Sequence, residues 1–281
     1  MDRVKTAMAY GKTYLADHPE ALRSAEILLQ HTLNVSRTHL YAHTEQVLSE
    51  QEATRYQTML DQRQQGIPIA YITGQRSFWT LELSVTPDTL IPRAETELMI
   101  ECALTLTDPK RKYRLLDLGT GSGAIALALA SERPHWQVTA CDLSTQALAI
   151  AEQNAQLLQL TSVQFVVSDW LQAFSQQQFD IIVANPPYLA DQDPHLQRGD
   201  LRFEPHSALI SGADGLDALR TIIQHAHQHL TENGILIVEH GYDQGIAVHD
   251  LFMQNGYQAI QSWQDGQKHQ RVCTGTKSFK L

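Results

Sequence analysis

Leu115-Leu-Asp-Leu-Gly-Thr-Gly-Ser-Gly-Ala-Ile125 joins an apolar strand to an Ala- and Leu-rich segment of helical character through glycines at three alternate positions. A strand that runs into a helix through such a turn is the opening unit of an α/β sheet whose strands lie parallel. Outward from it the chain keeps the same alternation. Strands are predicted at Arg114–Leu118, Gln137–Asp142, Val163–Val167, Phe179–Ala184 and Gly234–Glu239, with helical stretches between most of them. Runs at Tyr257–Trp263 and Gln270–Thr274 add an antiparallel pair at one edge. The expected fold is therefore α/β, a doubly wound and mostly parallel seven-stranded sheet.

Upstream of the turn the character changes. From Asp17 to Gln65 apolar residues recur at helical spacing, as in Leu22, Ala25, Leu29 and Leu33. Ser49 and Glu52 form a capping-box pattern ahead of Ala53, Tyr56, Met59 and Leu60, and Gly66 with Pro68 closes that helix. Phe78 to Val85 alternates like a strand, and Leu90-Ile-Pro-Arg-Ala-Glu-Thr-Glu97 leads into a helix ending near Thr105. This gives an N-terminal helical domain over 1–75, a linker with a β-hairpin and a helix over 76–110, and the sheet domain over 111–281.

Composition narrows the function classes. The 281 residues are 43% hydrophobic and 19% charged, and no apolar run approaches the roughly 20 residues of a membrane span. The N-terminus has neither a signal core nor an Arg-rich amphipathic stretch, so a cytoplasmic protein with no membrane partner is expected. Cys102, Cys141 and Cys273 are too far apart for a zinc site or a disulfide framework and are expected to be buried thiols. A net charge of −10 argues against a broad phosphate-binding surface, and no direct nucleic-acid binding is expected. His225, His227 and His229 contain an i, i+4 pair without a third ligand. They and Asp191, Asp193 and His195 read as solvated polar residues, and no metal is expected.

The glycine turn carries chemistry because Gly119, Gly121 and Gly123, with Thr120 and Ser122 between them, let backbone approach a ligand closely. Asp142 ends the next strand, nineteen residues past Gly123, where a carboxylate accepts hydrogen bonds from ribose hydroxyls. That pattern also fits a dinucleotide. Asp117 decides against one, since a carboxylate there repels a pyrophosphate and suits S-adenosylmethionine, which is net cationic. Ser168-Asp169-Trp170, after the third strand, offers a polar group and a flat ring for adenine.

Phe179-Asp-Ile-Ile-Val-Ala-Asn-Pro-Pro-Tyr188 runs a strand straight into two prolines at its carboxyl end, where open α/β sheets bind ligands. Pro186 and Pro187 fix φ and donate no hydrogen bond, so the carbonyls of Ala184 and Pro186 are held as acceptors beside the Asn185 side-chain oxygen. Tyr188 adds a planar face. Paired acceptors on the two N–H bonds of a conjugated NH₂ group favour the form in which its nitrogen gains positive charge. The expected reaction is methyl transfer to such a nitrogen, with Asn185, Pro186 and Tyr188 catalytic and Asn185 also beside the cofactor.

Taken in order, Pro68-Ile-Ala-Tyr-Ile-Thr-Gly74, Leu90 to Glu97, Asp117 to Gly123, Asn185 to Tyr188, Arg202-Phe-Glu-Pro205, Ala208 to Leu216 and Val238-Glu-His-Gly241 resemble the peptide chain release factor N5-glutamine methyltransferases. These lie within the class I, Rossmann-like S-adenosylmethionine methyltransferases. The resemblance implies that Gly119 to Gly123 surround the cofactor's methionine portion, with Asp142 on ribose and Trp170 near adenine. It further implies that Asn185 to Tyr188 hold the glutamine of a Gly-Gly-Gln tripeptide in class 1 release factors, which the helical domain helps to dock. Ala94 stands where the family usually has a second proline, and Asp265 to Arg271 keeps only the ends of a family pattern. Rival readings are a ribosomal-protein glutamine methyltransferase, a nucleic-acid adenine N6-methyltransferase and a cofactor-binding scaffold without catalysis. The adenine enzyme has to extract its base from a duplex, and no target-reading domain is recognisable for it.

Overall fold

A computed structural model describes residues 2–278. The chain forms two compact units, one made of residues up to Gln75 together with Gln197–Phe203, the other of Arg76–Leu196 and the residues from Glu204 on.

The first unit is helical: α1 (Val4–Tyr14), α2 (Ala21–Leu33), α3 (Arg37–Ala42), α4 (Glu50–Gln64) and α5 (Ile69–Thr73). Val4, Leu28, Leu29, Leu40, Tyr56 and Leu60 form its core, each apolar side chain contributing on the order of 1.5–3 kcal/mol. The capping box at α4 forms as the pattern predicts: Glu52 N–H donates to Ser49 Oγ at 3.2 Å and Ser49 N–H to Glu52 Oε2 at 2.7 Å. Helix α1 precedes the predicted helical stretch. Its Gly11 leaves room for Tyr56, since a Cβ there would lie 2.1 Å from the Tyr56 hydroxyl oxygen. That hydroxyl donates to the Ala25 carbonyl at 3.2 Å.

Two short strands, β1 (Gln75–Phe78) and β2 (Leu81–Ser84), form a sheet of their own. The alternation from Phe78 to Val85 therefore covers two strands. Trp79 sits between them at φ 55°. Its N–H donates to Glu97 Oε1 at 2.8 Å and its indole N–H to Glu132 Oε1 at 2.7 Å, so distant carboxylates hold the turn.

The second unit continues with α6 (Glu97–Thr105), β3 (Arg114–Leu118), α7 (Ala124–Glu132), β4 (Gln137–Asp142), α8 (Thr145–Leu157), β5 (Gln164–Val167) and β6 (Phe179–Ala184). It ends with α9 (Asp217–His229), β7 (Leu230–Glu239), α10 (Gly245–Gln254), β8 (Tyr257–Gln264) and β9 (Gln270–Lys277). The strand order is β5-β4-β3-β6-β7-β9-β8, parallel from β5 to β7 and antiparallel where β9 meets β7 and β8. Alternate strand residues serve two cores. Leu115, Ile181 and Val183 pack with α6 and α7 on one face, and Leu116, Ile182 and Leu236 pack with α9 on the other. Burial on both faces explains why these strands read as continuous apolar runs. All three cysteines are buried free thiols, and burial pushes each pKa up to about 12.

Strand β3 lies between β4 and β6, with Leu118 in register with Ala184. The chain leaves β3 towards β4 on one side and comes back on the other through β6. This reversal opens a crevice at the carboxyl ends of the two strands. Among the described residues no helix is long and apolar enough to cross a membrane.

Candidate active site

The crevice holds a cavity of about 450 Å³, lined by Gly119 and Gly121 after β3, Asp142 at the end of β4, Ser168, Asp169 and Trp170 after β5, and Asn185 and Pro187 after β6. Pro87–Leu90, Pro205, Ser207 and Ala208 contribute further wall. Arg93 and the buried Glu204 form an ion pair three residues from one of these wall segments and one residue from the other. A larger groove, about 1190 Å³, lies around Arg111, Asp180 and Thr231 and contains none of the predicted site residues.

Three of the five turn residues, Thr120, Ser122 and Gly123, do not line the cavity, and a Cβ on Gly123 would lie 2.9 Å from the Leu127 side chain. The Thr120 hydroxyl donates to Asp117 Oδ2 at 2.6 Å, and the Ser122 carbonyl accepts from Asn154 Nδ2 at 2.9 Å. Asn154 is buried and also exchanges hydrogen bonds with the Ser84 backbone at 2.8 and 3.0 Å, so it joins β2 to the glycine turn. Gly119 has φ 68°, and a Cβ there would come within 3.3 Å of the Trp170 ring. The ring predicted for adenine thus packs against the glycine turn.

Asp117 is buried beneath the turn. Its Oδ2 also accepts from Ala126 N–H at 3.2 Å, while Oδ1 has no hydrogen-bond partner. Burial pushes its pKa up to about 7, against the pull of Thr120 and Ala126. Asp142 uses both oxygens: Gly121 N–H donates to Oδ2 and Ser144 N–H to Oδ1, each at 2.9 Å. A carboxylate oxygen accepts more than one hydrogen bond, so acceptor capacity remains on the cavity side. The lining carries three carboxylates, Asp88, Asp142 and Asp169, and, among the described residues, no Lys or Arg. Such a wall favours a ligand with positive charge over a polyphosphate.

At the β6 end, Asn185 Nδ2 donates to Thr96 Oγ1 at 3.1 Å. Its Oδ1 is then the part of the amide left for the cavity. Pro187 lines the cavity and Pro186 is buried. Tyr188 is not in the lining, and its hydroxyl donates to Glu239 Oε1 at 3.2 Å. Burial raises the Tyr188 pKa, with Glu239 adding to the effect. Glu239 is itself fully buried at the end of β7, and desolvation pushes its pKa up to about 7. Thr96 and Glu239 escaped the site prediction. The only signal for them is that each sits in a family-like motif to which no role attaches.

A family model described as PrmC N-terminal domain matches residues 6–74, and one described as Methyltransferase small domain matches residues 94–200. The release factor glutamine methyltransferase of Xylella fastidiosa strain Temecula1 is 50% identical over 251 residues, covering 89% of this chain and 91% of the relative. That of Escherichia coli K12 is 44% identical over 253 residues, covering 90% and 91%. Among solved structures, a methyltransferase from Pyrococcus furiosus superposes with a TM-score of 0.54 at 16% identity, covering 80% of this chain and 100% of that one. The Thermus thermophilus 16S rRNA N2 G1207 methyltransferase in complex with AdoMet and guanosine gives 0.53 at 19% identity, covering 72% and 49%. These two likenesses concern the fold alone.

Proposed function

Since the chain belongs to the release factor glutamine methyltransferase family, we propose that it methylates the side-chain amide nitrogen, N5, of a glutamine. The substrate is the Gly-Gly-Gln motif of class 1 peptide chain release factors, the methyl donor is S-adenosylmethionine, and the reaction supports translation termination. One observation carries the reading. The cavity at the β3/β6 reversal combines a close-approach glycine turn and a carboxylate-rich, base-free wall with an asparagine whose amide nitrogen is turned back to Thr96.

The residues present fit the cofactor. Gly119 and Gly121 leave the backbone open to it, Asp142 retains acceptor capacity for ribose hydroxyls, and Asp117 Oδ1 lies beneath the turn without a hydrogen-bond partner. When bound, the cofactor supplies an electrophilic methyl group on a positively charged sulfur. Asn185 Oδ1 accepts one N–H of the substrate amide, and the Pro186 carbonyl accepts the other. These acceptors bind more strongly as the nitrogen gains positive charge, so they act mainly in the transition state. Pro186 and Pro187 hold that geometry without donors of their own, and the proton leaves late, to water. The helical unit docks the release factor.

The test is incubation with methyl-labelled S-adenosylmethionine and a purified release factor, followed by peptide mapping. Label on the Gly-Gly-Gln peptide is expected, and label only on a ribosomal protein or on DNA would overturn the assignment. Asn185→Ala should abolish transfer while sparing cofactor affinity. For the helical unit, Val47→Asp, at a residue 66% exposed, should raise KM for the intact factor and leave KM for a Gly-Gly-Gln peptide unchanged.

A further inference from the structure

The connection from β7 to α10 grips Tyr188 at two points. The Tyr188 hydroxyl donates to Glu239 Oε1 at 3.2 Å, and the Tyr188 carbonyl accepts from Gln244 Nε2 at 3.0 Å. The same Nε2 donates to the Gly215 carbonyl at 3.4 Å, and Gln244 Oε1 accepts from Gly241 N–H at 2.9 Å. One half-buried side chain, just before α10, thus joins Asn185-Pro-Pro-Tyr188, Ala208 to Leu216 and Val238-Glu-His-Gly241. Its amide can stand only one way round. Two carbonyls call for the NH₂ and a backbone N–H calls for the oxygen, so a reversed amide would set donor against donor at Gly241 and acceptor against acceptor at Tyr188.

Two glycines keep room for this head group. A Cβ on Gly215, where φ is 77°, would lie 2.9 Å from Gln244 Nε2 and 2.3 Å from the Tyr188 carbonyl oxygen. A Cβ on Gly241 would lie 3.0 Å from Gln244 Oε1. The loop that is held needs such support. It leaves the sheet at Ala184, in register with Leu118 and Val238, and beyond it Leu189 exchanges hydrogen bonds of 2.9 Å with Leu209 and Ser211. Between these anchors Pro186 and Pro187 have no N–H with which to tie the backbone down.

We propose that Gln244 is a positioning residue for methyl transfer, which holds the Tyr188 carbonyl and thereby sets the far end of the acceptor loop and the direction of the Pro186 carbonyl. Because the φ angles of Pro186 and Pro187 are fixed by their rings, a turn of the Tyr188 peptide is passed back along the loop and not absorbed within it. A misplacement of about 1 Å at a reacting centre can cost about a hundredfold in rate. The proposal rests on the glutamine-amide reading for the identity of the accepted NH₂ group, and the clamp itself does not depend on it.

Two variants separate the clamp from packing. Gln244→Met keeps the length of the side chain and loses every hydrogen bond. Gln244→Glu, when ionised, still accepts from Gly241 N–H but has no proton for the Tyr188 and Gly215 carbonyls. Titration with S-adenosylhomocysteine counts the folded sites, so that a poorly folded variant does not pass for a slow one. Per folded site and with release factor as substrate, kcat should fall at least about fivefold in both variants, with KM and cofactor Kd within about threefold of wild type. In ¹⁵N-labelled protein without substrate, the Leu189 amide nitrogen, which senses a hydrogen bond on the preceding carbonyl, should shift in both. A smaller loss of kcat in Gln244→Glu, a loss carried by KM or Kd instead, or an unmoved Leu189 signal would overturn the proposal. A wild type that labels a ribosomal protein or DNA in place of the release factor, with the same loss of kcat in both variants, would overturn the substrate reading alone.

Discussion

Replacing Asp142 with asparagine changes one atom in a carboxylate whose two oxygens each already accept a backbone N–H, from Gly121 and from Ser144, both at 2.9 Å. The asparagine keeps one oxygen, and its NH₂ must face one of the two N–H donors. Turning the amide over only exchanges which donor it opposes. A hydrogen bond to a charged group is worth about 1.5–3 kcal/mol, and it is lost together with one acceptor for ribose. Since about 1.4 kcal/mol is tenfold in affinity, the cofactor Kd should rise by roughly 10- to 150-fold. Titration calorimetry with S-adenosylhomocysteine measures this directly. Asp142→Ala leaves both N–H groups open to water in the cavity and should weaken binding no more than asparagine does. A loss under about threefold for asparagine, or an alanine variant clearly weaker than asparagine, would refute the reasoning.

Gly215→Ala would place a Cβ 2.3 Å from the Tyr188 carbonyl oxygen at a residue with φ 77°; kcat should fall at least about tenfold with cofactor Kd little changed, as single-turnover and binding assays would show. Asp117 ionises near pH 7 when folded and near 3.8 in its unperturbed state, so its contribution to stability is present below about pH 4 and is lost as pH rises to about 7. Urea unfolding of the cofactor-free protein should show Asp117→Asn gaining on the wild type over that range, by up to roughly 4 kcal/mol, and parallel pH curves would contradict this. Gly11→Ala ought to gain about 1 kcal/mol from helix propensity, but the Cβ would meet the Tyr56 hydroxyl oxygen at 2.1 Å. Overpacking of this kind costs about 1–3 kcal/mol, so a lowered thermal midpoint is expected.

The sheet was legible because its strands are buried on both faces and its turns fall at glycine and proline. Arg114–Leu118, Gln137–Asp142 and Phe179–Ala184 coincide with the predicted strands. The split at Trp79 was not legible, because Glu97 and Glu132 hold that turn from 18 and 53 residues away. The glycine turn advertised its backbone, but nothing local distinguishes Gly119 and Gly121, which face the cavity, from Thr120 and Ser122, whose polar groups face inward. Thr96 reaches Asn185 across 89 residues, and Tyr188 reaches Glu239 across 51. Local pattern carries no trace of such pairings, so the acceptor loop was visible and its supports were not.

The short run Gln197–Phe203 belongs with the helical unit, where Arg63 pairs with Asp200 at 3.4 Å. The polypeptide therefore passes between the units three times, at Gln75, at Leu196 and again at Phe203. The helical unit is consequently not a detachable cassette. A cut after Gln75 would strand a loop whose own partners had been removed, and two residues beyond that loop begins the cavity wall of Pro205, Ser207 and Ala208. Exchange of this unit between relatives should succeed only when Gln197–Phe203 travels with it.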